Sequence, residues 1–448
     1  ASGATVYIGP DDSRQSNEMN WENTTLKLSG NYYLDEHTIT AGYEYETLTA
    51  FNLFMQHTQG EFRFDSIDDY EAGMASRVYY NHSTGTNVPS DASQEFSFQQ
   101  HTIYAQDEYT FADVDMTLMV GFRYDMYTSD DKPRYNQNFV DRYGFANDGN
   151  MDDKDLFQPR VGFNYTVSDS TEVRGGFGLF SGGNPNVWMT NNYQNTNVTG
   201  GEVRGDYASL FDGSITWVNT EDGVTPGPGY SVPGDLDARM DAGEGSNFEP
   251  NNLDPNFEMP SEWKISAGLT HITDDDYVFN FDALVSITQD QAMIKYKGIE
   301  PVGFNDEGYV QYERTGLGSL ELTNSGEKST SYSLTATMNK AWDNGIALVA
   351  GYNYSHAEDV QPMTSSVAFS NFQYRAFTNP NEEVSSLSDW NIKHRLTLDL
   401  RYTTQFFDGY DTTFSMFALA QSGKPYSFTI SEDEVNSIFN FTPYLDSN

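Results

Sequence analysis

Apolar and polar residues alternate along two successive runs near the start of the chain, within residues 24–51. The positions on one face of these runs are Leu26, Leu28, Tyr32, Leu34, Ile39, Ala41, Tyr43 and Tyr45. Polar residues such as Lys27 and Glu44 occupy positions between them, and residues 35–37 separate the two runs. Because a repeat of two residues is typical of a β-strand with one apolar face, the pattern predicts a β-hairpin with a tight polar turn.

The same arrangement occurs five more times, each as two alternating runs of about ten residues around a short turn. The six predicted turns are residues 35–37, 112–115, 168–170, 274–276, 343–345 and 408–409. The loops between hairpins are long, at about 52–95, 128–156, 181–260, 289–330 and 355–392, whereas compact domains usually use about four to six residues. If the strands run up and down, all short turns lie at one end and all long loops at the other.

This asymmetry decides what the apolar faces contact. A β-sandwich has strands of about five to six residues and no reason to place every short turn on one side. An outer-membrane barrel has tilted strands of about 9 to 11 residues, an apolar outer face, a polar lumen, short periplasmic turns and long external loops. We therefore predict an all-β fold, an antiparallel transmembrane β-barrel with long extracellular loops. The residues predicted to face its lumen are Lys27, Glu44, Arg123, Asp125, Arg174, Asp282, Asp399 and Arg401.

A sheet in a membrane must close, because unpaired backbone groups find no water there. Strands embedded in the long loops, or strands outside this chain, are therefore expected to complete the six hairpins. Aromatic residues near strand ends are expected to form interfacial girdles, although ordinary cross-strand packing would also explain them. The candidates are Tyr43, Tyr45, Tyr277, Phe279, Tyr352, Tyr354, Phe406 and Phe407.

Composition excludes several classes of protein. Only 37% of the 448 residues are hydrophobic, and no stretch of some 18 apolar residues could span a membrane as a helix. The chain has 66 acidic and 24 basic residues, a formal net charge of -42, which argues against binding of nucleic acids or acidic substrates because like charges repel. There is no cysteine, so disulfides and thiolate chemistry are absent from the sequence.

No motif predicts an enzyme. Gly176 and Gly178 resemble the start of a nucleotide-binding G-x-G-x-x-G, but Ser181 stands where the last glycine is needed. Small residues on the lumenal face, where something packs closely, are the preferred interpretation. The 7 histidines are scattered, and no nucleophile, base and orienting group can be assembled. No catalytic, cofactor-binding or metal-ligating residue is therefore predicted.

Acidic loops leave one alternative open. The spacing of Asp148, Asn150 and Asp152 copies the start of an EF-hand loop, but Asp153 replaces the glycine of the sixth position and no glutamate occupies the twelfth. Solvated charge is the preferred interpretation there and in residues 234–245, and loop-bound calcium is the alternative. The loop carboxylates have no basic partners nearby in sequence and are expected to repel one another.

Four segments resemble TonB-dependent outer-membrane receptors of the Oar-like group. They are "FNLFMQHTQGEFRFDSIDDYEAG" (51–73), "FQPRVGFNYTVSDSTEVRGGFGLFSGGNPNVW" (157–188), "LDPNFEMPSEWKISAGL" (253–269) and "ALAQSGKPYSF" (418–428). The resemblance implies a barrel of 22 strands filled by an N-terminal plug, with a TonB box for energy coupling and, in Oar-like members, a small carboxypeptidase-regulatory-like β-domain. The plug, the box, that domain and the final strand are not recognisable here. We therefore expect residues 1–448 to be a large part of the barrel without a plug domain.

Three functions are compatible with the sequence. The first is an outer-membrane receptor that binds an unknown external ligand and, in the full-length protein, takes it up with energy supplied through TonB and the plug. The second is a surface adhesion or assembly protein that acts through its acidic loops. The third is a soluble all-β secreted binding module. The first two place the chain in the lipid of the bacterial outer membrane, where detergent dependence separates them from the third.

Overall fold

Twelve long antiparallel strands form one continuous sheet. A computed structural model describes residues 5–9, 11–86, 88–198, 200–219, 231–244, 250–304, 306, 308, 310–377, 379–430 and 442–443. The strands follow one another in chain order: β1 (Ser16–Leu34), β2 (His37–Met55), β5 (Gln94–Phe111), β6 (Met116–Thr128), β7 (Asp155–Ser168), β8 (Thr171–Ser181), β13 (Ser261–Ile272), β14 (Val278–Thr288), β17 (Thr330–Ala341), β18 (Ile346–Asp359), β20 (His394–Phe407) and β21 (Tyr410–Gln421). The six predicted hairpins are confirmed.

The short turns owe their geometry to aspartate and glycine. Asp35, Asp115 and Asp276 have positive φ angles of 50°, 45° and 56°, and Gly345 and Gly409 have 87° and 79°. A left-handed conformation is accessible to glycine, and to aspartate because its short side chain bonds to the local backbone. Backbone geometry thus explains the aspartates at these three turn positions.

The register places the eight predicted lumenal residues on one face of the sheet. Lys27 lies opposite Glu44, and Glu44 lies opposite Thr102, which faces Asp125 on its other side. The same face continues across the remaining strands to Asp399 and Arg401, because each register step preserves the alternation. The predicted apolar sets occupy the opposite face.

Three strands are longer than the alternation predicts. β1 and β2 have 19 residues each and β5 has 18, close to twice the predicted length. On β1 the outer face is apolar from Leu34 to Leu26 and then turns polar at Thr24, Glu22 and Asn20. The strand therefore continues beyond the apolar band. Its outer face is polar there, so an alternation with an apolar outer face cannot reveal this part of the strand.

The predicted girdle aromatics that lie within strands have mixed surroundings. Tyr43 and Tyr45 lie on the outer face, in the middle of β2, because that strand runs on past the apolar band. The Tyr43 hydroxyl lies 2.7 Å from the ring nitrogen Nδ1 of His101, and Tyr352 makes the equivalent contact to His394 at 2.8 Å. These tyrosines therefore point outward and also make cross-strand contacts. The interfacial girdle stays a prediction.

The long connections contain structure of their own. Their helices are α1 (Ile67–Ala72), α2 (Gln137–Tyr143), α3 (Asn186–Gln194), α4 (Gly234–Asp241) and α5 (Ala368–Gln373), with a 3-10 turn at Pro89–Ala92; another 3-10 turn, Asp12–Arg14, precedes β1. Their strands are β3 (Glu61–Arg63), β4 (Ala75–Ser83), β9 (Gly200–Tyr207), β10 (Trp217–Asn219), β11 (Ser231–Pro233), β12 (Asn251–Leu253), β15 (Ala292–Phe304), β16 (Val310–Asn324) and β19 (Ser386–Leu387); β22 (Thr429–Ile430) and β23 (Thr442–Pro443) follow β21. In the described residues, no helix has both the length and the apolar character to cross a membrane.

These additional strands do not complete the barrel. They form separate sheets, with the orders β3-β4-β9, β12-β16-β15, β10-β11 and β22-β23, while β19 extends only the end of β18. The expectation that loop-embedded strands close the sheet is therefore wrong for the described residues. Within them, the outer edges of β1 and β21 have no strand partner, so the twelve strands form an arc.

Candidate lumenal site and its cap

A chain of opposite charges crosses the lumenal face of the first strands. Glu44 forms an ion pair with Lys27 on one side and accepts a hydrogen bond from Arg123 Nη1, at 2.6 Å, on the other. Arg123 Nε also lies 2.8 Å from Asp125 Oδ1, in a second ion pair. We call these four residues the lumenal ladder. Each charge has an opposite neighbour, so the ladder joins β1, β2 and β6 without isolated charge.

Asp125 is the buried end of the ladder, with only 2% of its surface exposed. A buried carboxylate is stable only when its oxygens accept several hydrogen bonds. Besides Arg123, its partners are the Thr102 hydroxyl at 2.6 Å and Gln158 Nε2 at 2.6 Å. Gln158 in turn accepts from the backbone N–H of Ser181, where β8 ends. The ladder and these partners therefore connect six strands, β1, β2, β5, β6, β7 and β8.

A second charged pair on the lumenal face depends on glycine. Arg174 on β8 pairs with Asp282 on β14, reaching across Gly268 on the intervening strand. A Cβ on Gly268 would lie 2.7 Å from Arg174 Nε and 2.8 Å from Asp282 Oδ1, so a larger residue would block the pair. The pair lines a shallow cavity of about 440 Å³ together with Ser266 and Thr335.

The predicted close packing at Gly176 and Gly178 is confirmed. Both glycines lie in β8, on the lumenal face, and a Cβ on Gly178 would approach the backbone oxygen of Pro159 to 2.9 Å. On the last strands, Arg401 pairs with Asp399 at 2.9 Å in an exposed position. Lumenal arginines thus pair with the lumenal carboxylates of Asp125, Asp282 and Asp399.

The long connections build a cap over one part of this face. The cap consists of residues 186–194, 251–259, 292–304, 310–324 and 368–377, packed around one apolar core with the upper ends of β2, β5 and β6. Helix α3 contributes Met189 and Tyr193, which are one turn apart and both buried. The Tyr193 ring stacks on Phe96 with centroids 4.0 Å apart and planes 4° apart. The cap therefore packs directly against the lumenal surface of the barrel strands.

Side-chain amides protect the free edge of β15 within the cap. Gln361 Nε2 donates to the backbone oxygen of Ile294, at 3.2 Å, and its oxygen accepts from the Ile294 N–H. Asn381 exchanges the same two bonds with Tyr296, at 2.7 and 2.9 Å. An edge strand with unpaired backbone groups invites association with other chains. The two amides occupy those groups and fix the fifth connection to the cap.

Truncation of Tyr193 is expected to loosen the cap. Tyr193→Ala removes a buried ring and its hydrogen bond to the Asp131 carbonyl, and large-to-small changes of buried aromatics cost about 3–5 kcal/mol. We expect faster amide exchange and proteolysis in residues 186–194 with the strands unchanged. Tyr135→Ala, which removes an exposed tyrosine, is the matched control, with an effect within about 0.5 kcal/mol. Equal exchange in both variants would contradict the packing described here.

The residues considered for calcium serve the fold of the second connection. Asn150 donates to the backbone oxygens of Ser129 and Asp131, at 2.9 and 2.8 Å. Asp152 accepts from the Ser129 N–H, and Asp148 lies 3.4 Å from Lys132. In segment 234–245, Asp235 and Asp237 accept from Tyr207 and Tyr80, and Gly245 lies outside the described residues.

Some loop carboxylates have basic partners, and the expected repulsion among the other loop carboxylates stays a prediction. In the described part of the loops, Lys297 pairs with Glu321 at 2.9 Å, and Lys295 pairs with Glu383. These partners are distant in sequence, which is why the local composition did not reveal them. The side chains of Asp12, His57 and Glu61 form the one group, among the described residues, with three potential metal ligands together. No sequence motif indicated this group, because Asp12 is distant from His57 and Glu61 along the chain.

The chain matches a family model over nearly its whole length. Residues 3–445 match the model described as "Outer membrane beta barrel domain". The chain belongs to this outer-membrane β-barrel family. The predicted fold class and the predicted location in the bacterial outer membrane are thereby confirmed, and the alternative of a soluble secreted module is wrong. The Oar-like subgroup stays a prediction.

Solved structures are similar in part. The outer membrane transporter YddB from Escherichia coli has a TM-score of 0.48 and 10% identity, covering 90% of this chain and 47% of that one. The FrpB iron transporter from Neisseria meningitidis has a TM-score of 0.45 and 9% identity, covering 87% and 41%. The ferric enterobactin receptor PfeA from Pseudomonas aeruginosa has a TM-score of 0.46 and 12% identity, covering 91% and 42%. The chain thus spans less than half the length of these proteins. No curated protein matches the sequence.

Proposed function

We propose that this outer-membrane β-barrel chain is the barrel portion of a receptor that binds an external ligand and, in the full-length protein, imports it with energy supplied through TonB. The observation that carries the proposal is the packing of the cap on the lumenal face directly beside the lumenal ladder. Tyr127, in the apolar core shared with the cap, lies two residues from Asp125 on the same face of β6. Its hydroxyl donates to Asn184, at the start of the third connection.

This arrangement suits ligand capture followed by passage. An ordered cap at one mouth of a polar lumen can bind a ligand with its outer surface. The paired charges and hydroxyls beneath it offer polar contacts to a ligand or a plug. A protein that only adhered to surfaces would not need loops packed into the lumenal wall. The resemblance of four segments to TonB-dependent receptors supports the same proposal.

The sidedness of the chain is part of the proposal. The five long connections face the outside and the six short turns face the periplasm, as is usual for outer-membrane barrels. Because the chain has no cysteine, single cysteines can be placed at the exposed positions Ser214 and Asp275. On intact cells, an impermeant maleimide should label the Ser214→Cys variant and leave the Asp275→Cys variant unlabelled until the outer membrane is opened. The reverse pattern would show that the orientation is inverted.

Transport itself can be tested without knowing the ligand. Cells with the full-length gene and cells lacking it are grown in the same complex medium, each with and without functional TonB. Mass spectrometry then follows which compounds disappear from the medium. We expect at least one compound whose removal needs both the gene and TonB. Identical depletion in all four strains, at equal surface levels of the protein, would contradict the transport proposal.

A surface adhesion or assembly function is the second candidate. The observation that favours it is a small domain apart from the cap, formed by the β3-β4-β9 sheet and α4 around its own apolar core. It exposes Ile67 and Phe211, which are 71% and 62% accessible. Deletion of residues 61–83 would reduce cell attachment without changing TonB-dependent depletion if this domain is an adhesive surface.

A further inference from the structure

His57 is a buried histidine surrounded by three carboxylates from three separate segments. It follows the end of β2 and has a left-handed backbone, with φ at 59°. The carboxylates belong to Asp12 in the first 3-10 turn, Glu61 at the start of β3 and Glu202 on β9. The cluster lies at the long-loop end of the sheet, beyond the last residue of β2. It is separate from the lumenal ladder and from the core of the cap.

Glu202 determines which ring nitrogen of His57 carries hydrogen. His57 Nδ1 lies 2.9 Å from Glu202 Oε2, and Arg204 Nε donates to the other Glu202 oxygen at 2.7 Å. A carboxylate can only accept here, so Nδ1 donates its hydrogen to Glu202. In the neutral ring, Nε2 is then left with a free lone pair.

That lone pair faces two more acceptors. His57 Nε2 lies 3.0 Å from Asp12 Oδ2 and 2.8 Å from Glu61 Oε2. The ring N–H direction of Nε2 suits a hydrogen bond to Asp12, whereas the Glu61 oxygen makes a charge contact only. One proton on Nε2 would therefore form a hydrogen bond to Asp12 and leave the Glu61 oxygen in close contact without a good hydrogen bond. A cation placed between the three atoms would serve all of them.

We propose that His57 Nε2, Asp12 Oδ2 and Glu61 Oε2 bind one divalent transition-metal ion of the zinc type. The three ligand atoms lie within 4.8 Å of one another, with Nε2 at 3.0 Å from Asp12 Oδ2 and 2.8 Å from Glu61 Oε2, so a small side-chain adjustment places each at the usual distance of about 2.0–2.2 Å from a common ion. One imidazole with carboxylates suits zinc and its neighbours, whereas calcium prefers oxygen ligands alone. Asp12 is partly exposed, which leaves access for the ion and a water ligand.

The surroundings of the cluster fit this assignment. Metal-binding histidines usually donate their second ring hydrogen to a carboxylate, which orients the ring and strengthens the ligand, and Glu202 has this role. Arg63 holds the other oxygen of Glu61, at 2.6 Å, and so leaves one oxygen free for the ion.

A bound ion would tie together parts of the chain that are distant in sequence. Asp12 belongs to the segment before β1, His57 and Glu61 to the first connection, and the supporting Glu202 to the third. Because an ion that binds only the folded arrangement stabilises it, metal loading should hold the β3-β4-β9 sheet against the end of β2. The proposal concerns the arrangement of the loops and is independent of any transported ligand.

Zinc binding to the full-length protein in detergent, without a histidine tag, tests the proposal. After equilibrium dialysis against micromolar Zn²⁺, we expect one zinc per chain in the wild type and its loss in both His57→Gln and Glu61→Gln. Glu202→Gln should retain the site with affinity weakened about 10- to 100-fold. His356→Gln is the matched control, because His356 contacts a single carboxylate, Glu358, at 3.0 Å, and it should bind like the wild type.

Two further readouts keep the test decisive. Co²⁺ should give visible ligand-field bands in the wild type and in His356→Gln, and these bands should be absent in His57→Gln even if that variant folds normally. Zinc should slow proteolysis of residues 61–83 in the wild type and in His356→Gln, and should have no such effect in His57→Gln. Equal zinc content in the wild type and His57→Gln, or no bound zinc in the wild type, would overturn the proposal and leave His57 as a protonated contact between loops.

Discussion

Replacement of Arg123 by methionine is expected to destabilise the barrel arc by about 3 kcal/mol. Asp125 is almost fully buried, and removal of one partner from a buried ion pair costs about 3–5 kcal/mol because an uncompensated charge remains. The lower end of that range applies here, since Asp125 keeps its bonds from Thr102 and Gln158 and Glu44 keeps Lys27. The free energy of unfolding would be measured by urea titration of the full-length protein in lipid vesicles.

Two further variants show whether the loss comes from buried charge. Arg401→Met removes a lumenal arginine whose side chain is 61% exposed, and exposed pairs are worth about 0–1 kcal/mol. Adding Asp125→Asn to Arg123→Met removes the unpaired negative charge of Asp125 and should restore most of the free energy of unfolding. If Arg123→Met and Arg401→Met behaved alike, the lumenal ladder would not be the buried network described here.

The arc of strands was predictable because the membrane imposes a simple rule on the sequence. Because lipid lies on one side of the sheet and a polar lumen on the other, apolar and polar residues alternate with a period of two. The apolar Leu334 and the polar Thr335 can therefore be assigned to the lipid face and the lumenal face from the sequence alone. Aspartate and glycine indicate the turns because they readily adopt the left-handed backbone conformation that tight turns need. The alternation ends where the strands leave the lipid. The sequence pattern therefore did not predict the halves of β1 and β2 that lie nearer the long loops.

The cap was not predictable by this route. Its contacts join residues far apart in the chain, as in the stacking of Phe96 on Tyr193 or the bonds of Gln361 to Ile294. Nothing in the local pattern of a short helix such as α3 reveals which strand it will pack against. The same holds for His57 and Glu202, which are 145 residues apart. Loop composition indicated charge and polarity but not the pairing.

Replacement of Leu334 by arginine is expected to disrupt membrane insertion, with a cost of about 2–4 kcal/mol if this position lies near the bilayer midplane. Leu334 is exposed on the outer face, where its cross-strand neighbours are Ala283 and Tyr354. Arginine there would place a charge against lipid acyl chains, and neither cross-strand neighbour carries an opposite charge. The amount of folded protein in the outer membrane should fall sharply.

Thr335→Arg is the matched control, because the neighbouring position places the same side chain on the lumenal face. There Asp282 lies opposite on the adjacent strand, so the new charge meets water and a carboxylate, and the expected cost is below about 1 kcal/mol. Both variants add one arginine to the same strand and differ only in the face of the sheet, lipid or lumenal, on which the new side chain lies. Folded protein can be quantified by the heat-dependent shift of the barrel in gel electrophoresis and by urea titration in vesicles. Loss of folding in Thr335→Arg with normal folding in Leu334→Arg would reverse the assignment of faces, and with it the lumenal position of the charge ladder.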